Sequence, residues 1–291
     1  MHIGILSRGP GLYSTQRLVE AGQQAGHQVS IIDHGITSLL VTPAGGSMFI
    51  RGMDLDLPDV VIPRIGTNVT AIGAATISQL DLLGIPHLTS ADGLLLARDK
   101  MRSLQFLARH QIGVPSSMLV TDAREARKIA RRLSNYPIVV KLLESTHGVG
   151  VALAYNRYQL ERTTEAFLRL QDRVILQEFI GEANGSDIRA FVVAGKVVAA
   201  MERKAAAGEF RANMHRGATA TAIALTDVEA HIALKTASLL NLDVAGVDLI
   251  RSKRGPLVME VNASPGLEGI ETCTGIDVAG AIIEAAVKLK V

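Results

Sequence analysis

Three oxygen-bearing side chains near the end of the chain stand where chemistry could be done. In Leu257-Val-Met-Glu-Val-Asn-Ala-Ser-Pro-Gly266, Glu260 and Asn262 are two residues apart. On a strand they leave the same face, while Val261 turns the other way into packing. Asp248 interrupts the apolar run Ala245-Gly-Val-Asp-Leu-Ile250 in the same manner. Polar groups set among apolar strand residues need something to compensate their burial. Three hard oxygen donors on neighbouring strands suit Mg²⁺ or Mn²⁺, with phosphate oxygens and water completing the shell. The competing reading is a sheet with one wet face, where the three simply meet solvent.

Other residues call for an anion. Lys141 lies in the apolar run Pro137-Ile-Val-Val-Lys-Leu142, where a lysine either snorkels from an edge or meets a negative group. Directly after it, Glu144-Ser-Thr-His-Gly-Val-Gly-Val151 is a small-residue loop whose glycines let backbone N–H groups approach a phosphate. An ordinary hairpin turn is the alternative, and the absence of Gly-Lys-Ser/Thr excludes a Walker loop. Arg203, Lys204, Arg211, His215 and Arg216 gather in a segment rich in glycine and alanine, and loops of this kind often carry function. Gly9-Pro-Gly-Leu-Tyr-Ser14, with Asp33 downstream, has part of a dinucleotide-binding pattern. Ser14 replaces its third glycine and Pro10 removes an N–H, so nicotinamide binding has little support. Arg124, Arg127, Lys128, Arg131 and Arg132 share a helix face opposite Ala126, Ile129, Ala130 and Leu133. That face reads as solvated, with ribosome or nucleic-acid contact as the alternative. The eight histidines show no H-x-x-x-H spacing and there is no G-x-S-x-G elbow, which leaves zinc catalysis and triad hydrolysis unsupported.

These side chains need a scaffold. Short apolar runs at 2–6, 28–32 and 59–63 alternate with helical periodicity at 13–25 and 70–83, which predicts a parallel α/β unit over 1–95. Ser90 is placed to cap a helical stretch, and a further helix covers 99–110. The central part, 96–176, reads as strand 117–120, helix 122–133, strand 138–142, the glycine loop, strand 151–154 and helix 159–170. The C-terminal part, 177–291, carries the metal candidates. After a strand at 174–179, four stretches at 188–193, 197–203, 219–225 and 244–251 are strands. The last pairs with 256–262 around a turn at 252–255. Helices cover 227–240 and 276–289, the second capped by Asp277 or Thr274. The fold class is α/β in front and α+β behind.

Composition sets the bounds. A chain of 291 residues with 48% apolar and 20% charged residues is an ordinary globular protein with room for two or three subdomains. A net charge of +2 and 3% aromatic residues argue against a polyanion partner and against stacking on single strands. Cys273 is the single cysteine, so no intramolecular disulfide forms and nothing points to an oxidising compartment. The apolar stretch at 3–6 is shorter than a signal-peptide core, and no run approaches the ~20 residues of a membrane span. A cytoplasmic location without membrane contact is expected.

Taken together, the residues resemble the ATP-grasp ligases, and within them the RimK-type α-L-glutamate ligases. The similarity runs from "HIGILSRGPGLYS" and "VIPRIGT" through "ARDKMRSLQFLARHQIGVP", "VVKLLESTHGVGV" and "LQEFIGEANGSDIRAFVV" to "GEFRANMHRG", "VAGVDLIR" and "GPLVMEVNASPGLEGIE". The resemblance implies an ATP-grasp fold behind an N-terminal pre-ATP-grasp domain. It implies that Lys100 and Lys141 contact the ATP phosphates beneath a glycine loop containing His147, Gly148 and Gly150. Glu178, Phe179 and Ile180 would read adenine at the hinge, Asp187 would bind the ribose, and Arg211 and Asn213 would reach the phosphates. Asp248, Glu260 and Asn262 would hold two Mg²⁺ or Mn²⁺ ions. Arg211 and Lys141 are the expected catalytic residues, and Arg64, Arg189, Arg203 and Arg216 the candidates for gripping substrate carboxylates. The implied partners are ATP, L-glutamate and the C-terminus of a small-subunit ribosomal protein, in a homotetramer without direct nucleic-acid contact. Free glutamate or a glutamate chain could replace that acceptor. Two positions depart from the pattern: His147 stands where glutamine is expected, and Ala218 where a second glycine is expected. The neighbouring readings are an amino-acid ligase acting on a carrier protein in lysine or arginine synthesis, a glutathione-type ligase, or a catalytically silent nucleotide-binding module on the ribosome.

Overall fold

The computed structural model describes residues 1–133, 135–143, 150–206, 209–210 and 217–290. It begins with β1 (His2–Leu6), α1 (Tyr13–Gln24) and β2 (Gln28–Ile32). A small antiparallel sheet of β3 (Thr37–Thr42), β4 (Gly45–Ile50) and β5 (Met53–Asp54) follows, then β6 (Val60–Pro63). The strands β2-β1-β6 form a parallel sheet, as the alternating pattern predicts. Both its faces are covered, the usual condition for parallel strands. Ile3, Ile5, Val60 and Ile62 enter one core, and Leu6 and Val61 enter another.

Three helices lead to the next sheet: α2 (Thr70–Leu82), α3 (Ala91–Arg98) and α4 (Lys100–Arg109). Their ends are set by side chains. The Ser90 hydroxyl accepts from the N–H of Gly93 at 3.0 Å, and the Asp99 carboxylate from that of Arg102 at 3.0 Å. These contacts satisfy amides that a helix start leaves open. Gly93 is required by a close approach. A Cβ there would lie 2.2 Å from the Leu240 carbonyl oxygen.

The second sheet is antiparallel, in the order β7-β10-β8-β9. It is built from β7 (Ser117–Val120), β8 (Ile138–Leu142), β9 (Val151–Ala154) and β10 (Val174–Glu178). Its helices α5 (Ala123–Ile129) and α6 (Arg157–Leu168) supply Ala126 and Leu160 to a core with Ile138, Val140, Val174 and Leu176. The period-2 alternation therefore sends Val139, Lys141, Ile175 and Gln177 to the opposite face. Of the basic residues on the 124–132 stretch, Arg127 is tied to Glu161 of α6 at 2.8 Å.

The third sheet has the order β13-β12-β11-β14-β15. Its strands are β11 (Ser186–Val193), β12 (Lys196–Lys204), β13 (Thr219–Ala222), β14 (Val244–Ser252) and β15 (Gly255–Asn262). The helix α7 (Asp227–Leu239), started by a capping box of Thr226 and Glu229, covers one face. There Ile188, Ala190, Val247, Leu249 and Val258 share a core with Leu6, Val61, Leu80 and Leu94. On the other face Phe191, Val193, Met201 and Val244 pack under α8 (Glu268–Thr274) and α9 (Val278–Lys290), in one core with Ile3 and Ile5. Each fully buried large apolar side chain contributes about 1.5–3 kcal/mol to folding. Asp277 caps α9 by accepting from the N–H of Gly280 at 2.8 Å. Among the described residues no helix is long and apolar enough to cross a membrane.

Candidate active site

The face of the third sheet that is apolar under α8 and α9 becomes charged further along. On β11 the side chains of that face run Val193, Phe191, Arg189, Asp187. Register decides their neighbours: Asp187 lies opposite Arg203, and Arg189 opposite Asp248. Arg189 donates to Asp248 through Nε at 2.8 Å and Nη2 at 2.7 Å, the bidentate geometry that suits a guanidinium. Arg203 donates to Asp187 at 2.6 Å and lies 3.0 Å from Asp248. The four side chains form a continuous ion chain in which Arg203 bridges both carboxylates.

A bulge brings in the remaining two oxygen donors. Asp248 lies opposite Glu260 while Leu249 lies opposite Val258, so Met259 is unpaired. Such an insertion resets the alternation of a strand. Here it places Glu260 and Asn262 on the face of Asp248 and leaves Val258 and Val261 in the core. Glu260 is exposed and makes no hydrogen bond or ion pair among the described residues. The Asn262 Oδ1 accepts from the N–H of Ser264 at 3.1 Å. Gly246, opposite Asn262, admits the chain turn that follows: a Cβ there would sit 2.9 Å from the Pro265 Cβ.

Burial alone would raise the Asp248 carboxyl, but Arg189 and Arg203 outweigh it and hold the group below the usual carboxylate range. At Asp187 burial wins over Arg203, and its carboxyl is pushed up to about 6. Burial would lower the Arg203 guanidinium, yet Asp248 and Asp187 raise it. Among the described residues no three His, Cys, Asp or Glu side chains cluster as a metal cage. Glu260 and Asn262 each keep oxygen lone pairs open, and Asp248 already carries three N–H contacts. That donor set fits a hard cation shared with a phosphate better than one held by protein alone.

The second sheet turns its open face toward this cluster. Lys141 donates to the Gln177 Oε1 at 2.6 Å, and Gln177 in turn donates to the Ser117 Oγ at 2.9 Å. Burial pushes the Lys141 ammonium down to about 8; Glu260 opposes this and Lys100 adds to it, while Asp187 and Asp248 also act on it. Its charge therefore lies within the electrostatic field of the acids of the third sheet. Lys100, the first residue of α4, donates to the Leu143 carbonyl at 2.8 Å. Gly150 has φ +75, the left-handed region that favours glycine. His147, Gly148, Arg211, Asn213 and Arg216 lie outside the described residues. Ala218 is buried.

The segment joining the two sheets starts at Glu178, whose Oε1 accepts from the N–H of Ser116 at 2.7 Å and is paired with Arg254. Phe179 and the buried Ile180 follow, then a short 3₁₀ turn, Gly181–Ala183. The Glu182 Oε1 accepts from the N–H of Lys253 at 3.1 Å. The β14–β15 turn thus clasps this hinge. A hollow of about 90 Å³ beside it is lined by Glu182, Asp187, Glu202 and Arg251. A larger one, about 260 Å³, lies between α1 and α8, where Arg17 pairs with Glu271 and Asp277. That seam joins helices and carries neither lysine.

Two arginines complete the surroundings. Arg64 follows β6 directly and donates to the Pro265 carbonyl at 2.5 Å. Arg98 ends α3 and donates to the Ile65 carbonyl at 2.5 Å. Arg64 is among the residues that sequence reasoning selects; Arg98 is not, although it immediately precedes the Asp99 cap and Lys100.

Two family models match the chain, one described as the RimK PreATP-grasp domain over residues 1–94 and one as the RimK-like ATP-grasp domain over 97–286. The chain belongs to the RimK-like ATP-grasp family. It is an ATP-dependent carboxylate–amine ligase of that family. Similar curated proteins include the "Probable alpha-L-glutamate ligase 1" of Shewanella amazonensis, 47% identical over 97% of this chain and 94% of that protein. The "Probable alpha-L-glutamate ligase" of Serratia proteamaculans is 48% identical over 98% and 95%. The ATP-grasp fold is shared with the ligase PsnB complexed with its minimal precursor, at a TM-score of 0.77, 19% identity and coverage of 100% and 98%. The D-alanine–D-alanine ligase of Bacillus anthracis complexed with ATP matches at 0.70, 19% identity, and coverage of 100% and 97%.

Proposed function

We propose that this chain is an ATP-dependent α-L-glutamate ligase. It adds glutamate to the C-terminal carboxylate of an acceptor, a small-subunit ribosomal protein or a glutamate chain. One observation carries the reading. Glu260 and Asn262 stand open beside Asp248, and the desolvated ammonium of Lys141 lies within the field of Glu260 and Asp248. Anionic oxygen donors and a cation across one cleft suit a polyphosphate bridged by divalent metal. The names of the relatives, nearly half identical over almost the whole chain, support glutamate as the amino acid.

In the reaction an oxygen of the acceptor carboxylate attacks the γ-phosphorus of ATP, the bond to ADP breaks, and an acyl phosphate forms. The amine of glutamate then attacks the acyl carbon, phosphate leaves, and the amine loses a proton. Asp248, Glu260 and Asn262 would hold two Mg²⁺ or Mn²⁺ ions, which supply charge neutralisation along the phosphates. Lys100 and Lys141 steady the phosphates, the hinge from Glu178 to Ile180 takes the adenine, and Asp187 the ribose. Catalysis of this kind rests on positioning and on preorganised charge in a site kept from water. A homotetramer in the cytoplasm, with no membrane or direct nucleic-acid partner, completes the proposal.

The test combines enzyme, ATP, Mg²⁺, L-glutamate and purified ribosomal proteins, with ADP release and intact mass as readouts. Glutamate-dependent ADP release with one protein gaining glutamyl residues is expected. Glu260→Ala should abolish turnover, and near-wild-type turnover would remove this residue from the phosphate site. Glutamate-independent ADP release, or transfer only to a carrier protein of amino-acid synthesis, would defeat the reading.

A further inference from the structure

Arg64 and Arg98 are anomalous among the half-buried and buried cations. Arg189 and Arg203 spend their charge on Asp248 and Asp187. Arg64 and Arg98 have no acid within ion-pair distance among the described residues. Each makes one bond to a backbone carbonyl. The Nη1 of Arg64 and the Nε of Arg98 are shut from solvent without a hydrogen-bond partner. Burial lowers both guanidinium values, Arg64 to about 10; the Arg98 charge adds to the lowering at Arg64, while Glu260 partly opposes it at Arg98. An unpaired buried charge is costly to keep. The α3 C-terminus offsets part of that cost for Arg98 and none for Arg64.

Their position relates them to the reacting groups. The Ile65 N–H donates to the Ser264 Oγ at 3.1 Å, Ser264 donates to Asn262, and Arg64 holds the next carbonyl, that of Pro265. The acid whose field reaches Arg98 is Glu260. Arg64 is thus fastened to the stretch that continues directly from Glu260 and Asn262, and Arg98 is linked to it through Ile65. The chemistry that would complete them is a planar anion accepting from two forks, which is a carboxylate.

We infer that Arg64 and Arg98 form a carboxylate-binding subsite beside the phosphate-transfer centre, filled by a carboxylate of one of the two substrates. This rests on the ligase reading above. Two sources share the chemistry: incoming glutamate and the terminal carboxylate of the acceptor. The pair holds that group in place for reaction while its cations gain the partner that the fold withholds.

The experiment measures binding by calorimetry to the full chain with Mg²⁺ and a non-hydrolysable ATP analogue. The probes are L-glutamate and a short peptide ending in glutamate, with a free or an amidated C-terminus. Arg64→Met and Arg98→Met are expected to weaken one probe about ten- to hundredfold while nucleotide affinity moves by less than about twofold. Weakened glutamate assigns the subsite to the amino acid, and a weakened free-acid peptide assigns it to the acceptor. The ligand-free melting midpoints should hold or rise, because an unneutralised charge is removed; a purely structural role would lower them. Arg98→Lys, which keeps the charge and loses the fork, should weaken the same probe and serves if the methionine variants do not fold. Wild-type affinity for both probes in the variants, or a lowered midpoint with unchanged binding, overturns the inference. So does a wild type that binds neither probe. The glutamate reading fails separately, through the ADP assay, and the isotherms then still decide the arginine pair.

Discussion

Asp187 and Asp248 are buried on the charged face of the third sheet, and each is held by a guanidinium from a neighbouring strand. An acid inside the apolar run around Asp248 signals a need for compensation, and the fold supplies it from Arg189 and Arg203 on other strands. Nothing local announces that Arg203 should bridge two acids, or that Arg98 should have no acid partner among the described residues, because both depend on contacts between distant elements. Lys141 was legible as a cation in a strand, but not its desolvation. That desolvation has a measurable consequence. Burial lowers the ammonium to about 8, so the free enzyme loses this charge as pH rises through that value. ATP affinity, followed by calorimetry, should fall above about pH 8 and stay level in Lys141→Arg, which remains charged. Wild-type affinity that is flat across the interval would exclude Lys141 as a charged phosphate ligand. The sign for stability is opposite. The unfolded chain keeps this proton up to the ordinary lysine value near ~10.4, so the penalty of burying the charge fades as pH climbs between the two values.

At the scale of elements, strong periodicity proved readable and weak periodicity did not. The parallel strands, α1, α2, the two antiparallel strands around the turn before Gly255, and the caps at Ser90 and Asp277 all stand as the pattern implies. The sheet β3-β4-β5 escaped, since β3 is mostly exposed and lacks a buried alternation. It is held from outside its own sequence, by Gln79 of α2 donating to the Leu40 and Ser47 carbonyls at 2.8 and 3.2 Å. The short α8 escaped as well, because it follows Pro265-Gly266 and contains Gly269, signals that read as loop. The Met259 bulge is a property of pairing and has no signature in one strand. Gly93 shows how tertiary contact overrides propensity. Alanine is favoured over glycine in a helix by ~1 kcal/mol, yet its Cβ would meet the Leu240 carbonyl at 2.2 Å and the Ser90 Oγ at 2.7 Å. Gly93→Ala should therefore destabilise the protein, by about 1–3 kcal/mol or more, in urea unfolding. An unchanged or higher midpoint would show that α3 can shift away from α7 freely.

On the scale of the whole molecule, the cores are distributed unequally. Two of them draw on both ends of the chain: Leu6 and Val61 pack with Leu249 and Val258, and Ile3 and Ile5 with Ile282 and Ile283. The buried residues of the third, among those described, run from Val120 to Leu176, with Met118 packed against them. Cooperative units follow shared cores, so the second sheet with α5 and α6 should open at a lower free energy than the rest. Native-state hydrogen exchange would resolve this, with amides of β8 and β10 forming one isotherm and those of β1 and β14 a higher one. A single common opening energy would contradict it. The same distribution bears on hybrids between relatives. A graft of the first ninety-odd residues carries only part of two interleaved interiors and must find complementary side chains in its new host. A graft of the segment Ser117 to Glu178, which spans the whole second sheet, brings a finished interior and needs agreement mainly at its clasped hinge, Glu178 with Arg254. Exchange of parts between these ligases should succeed in the middle of the chain and fail at its beginning.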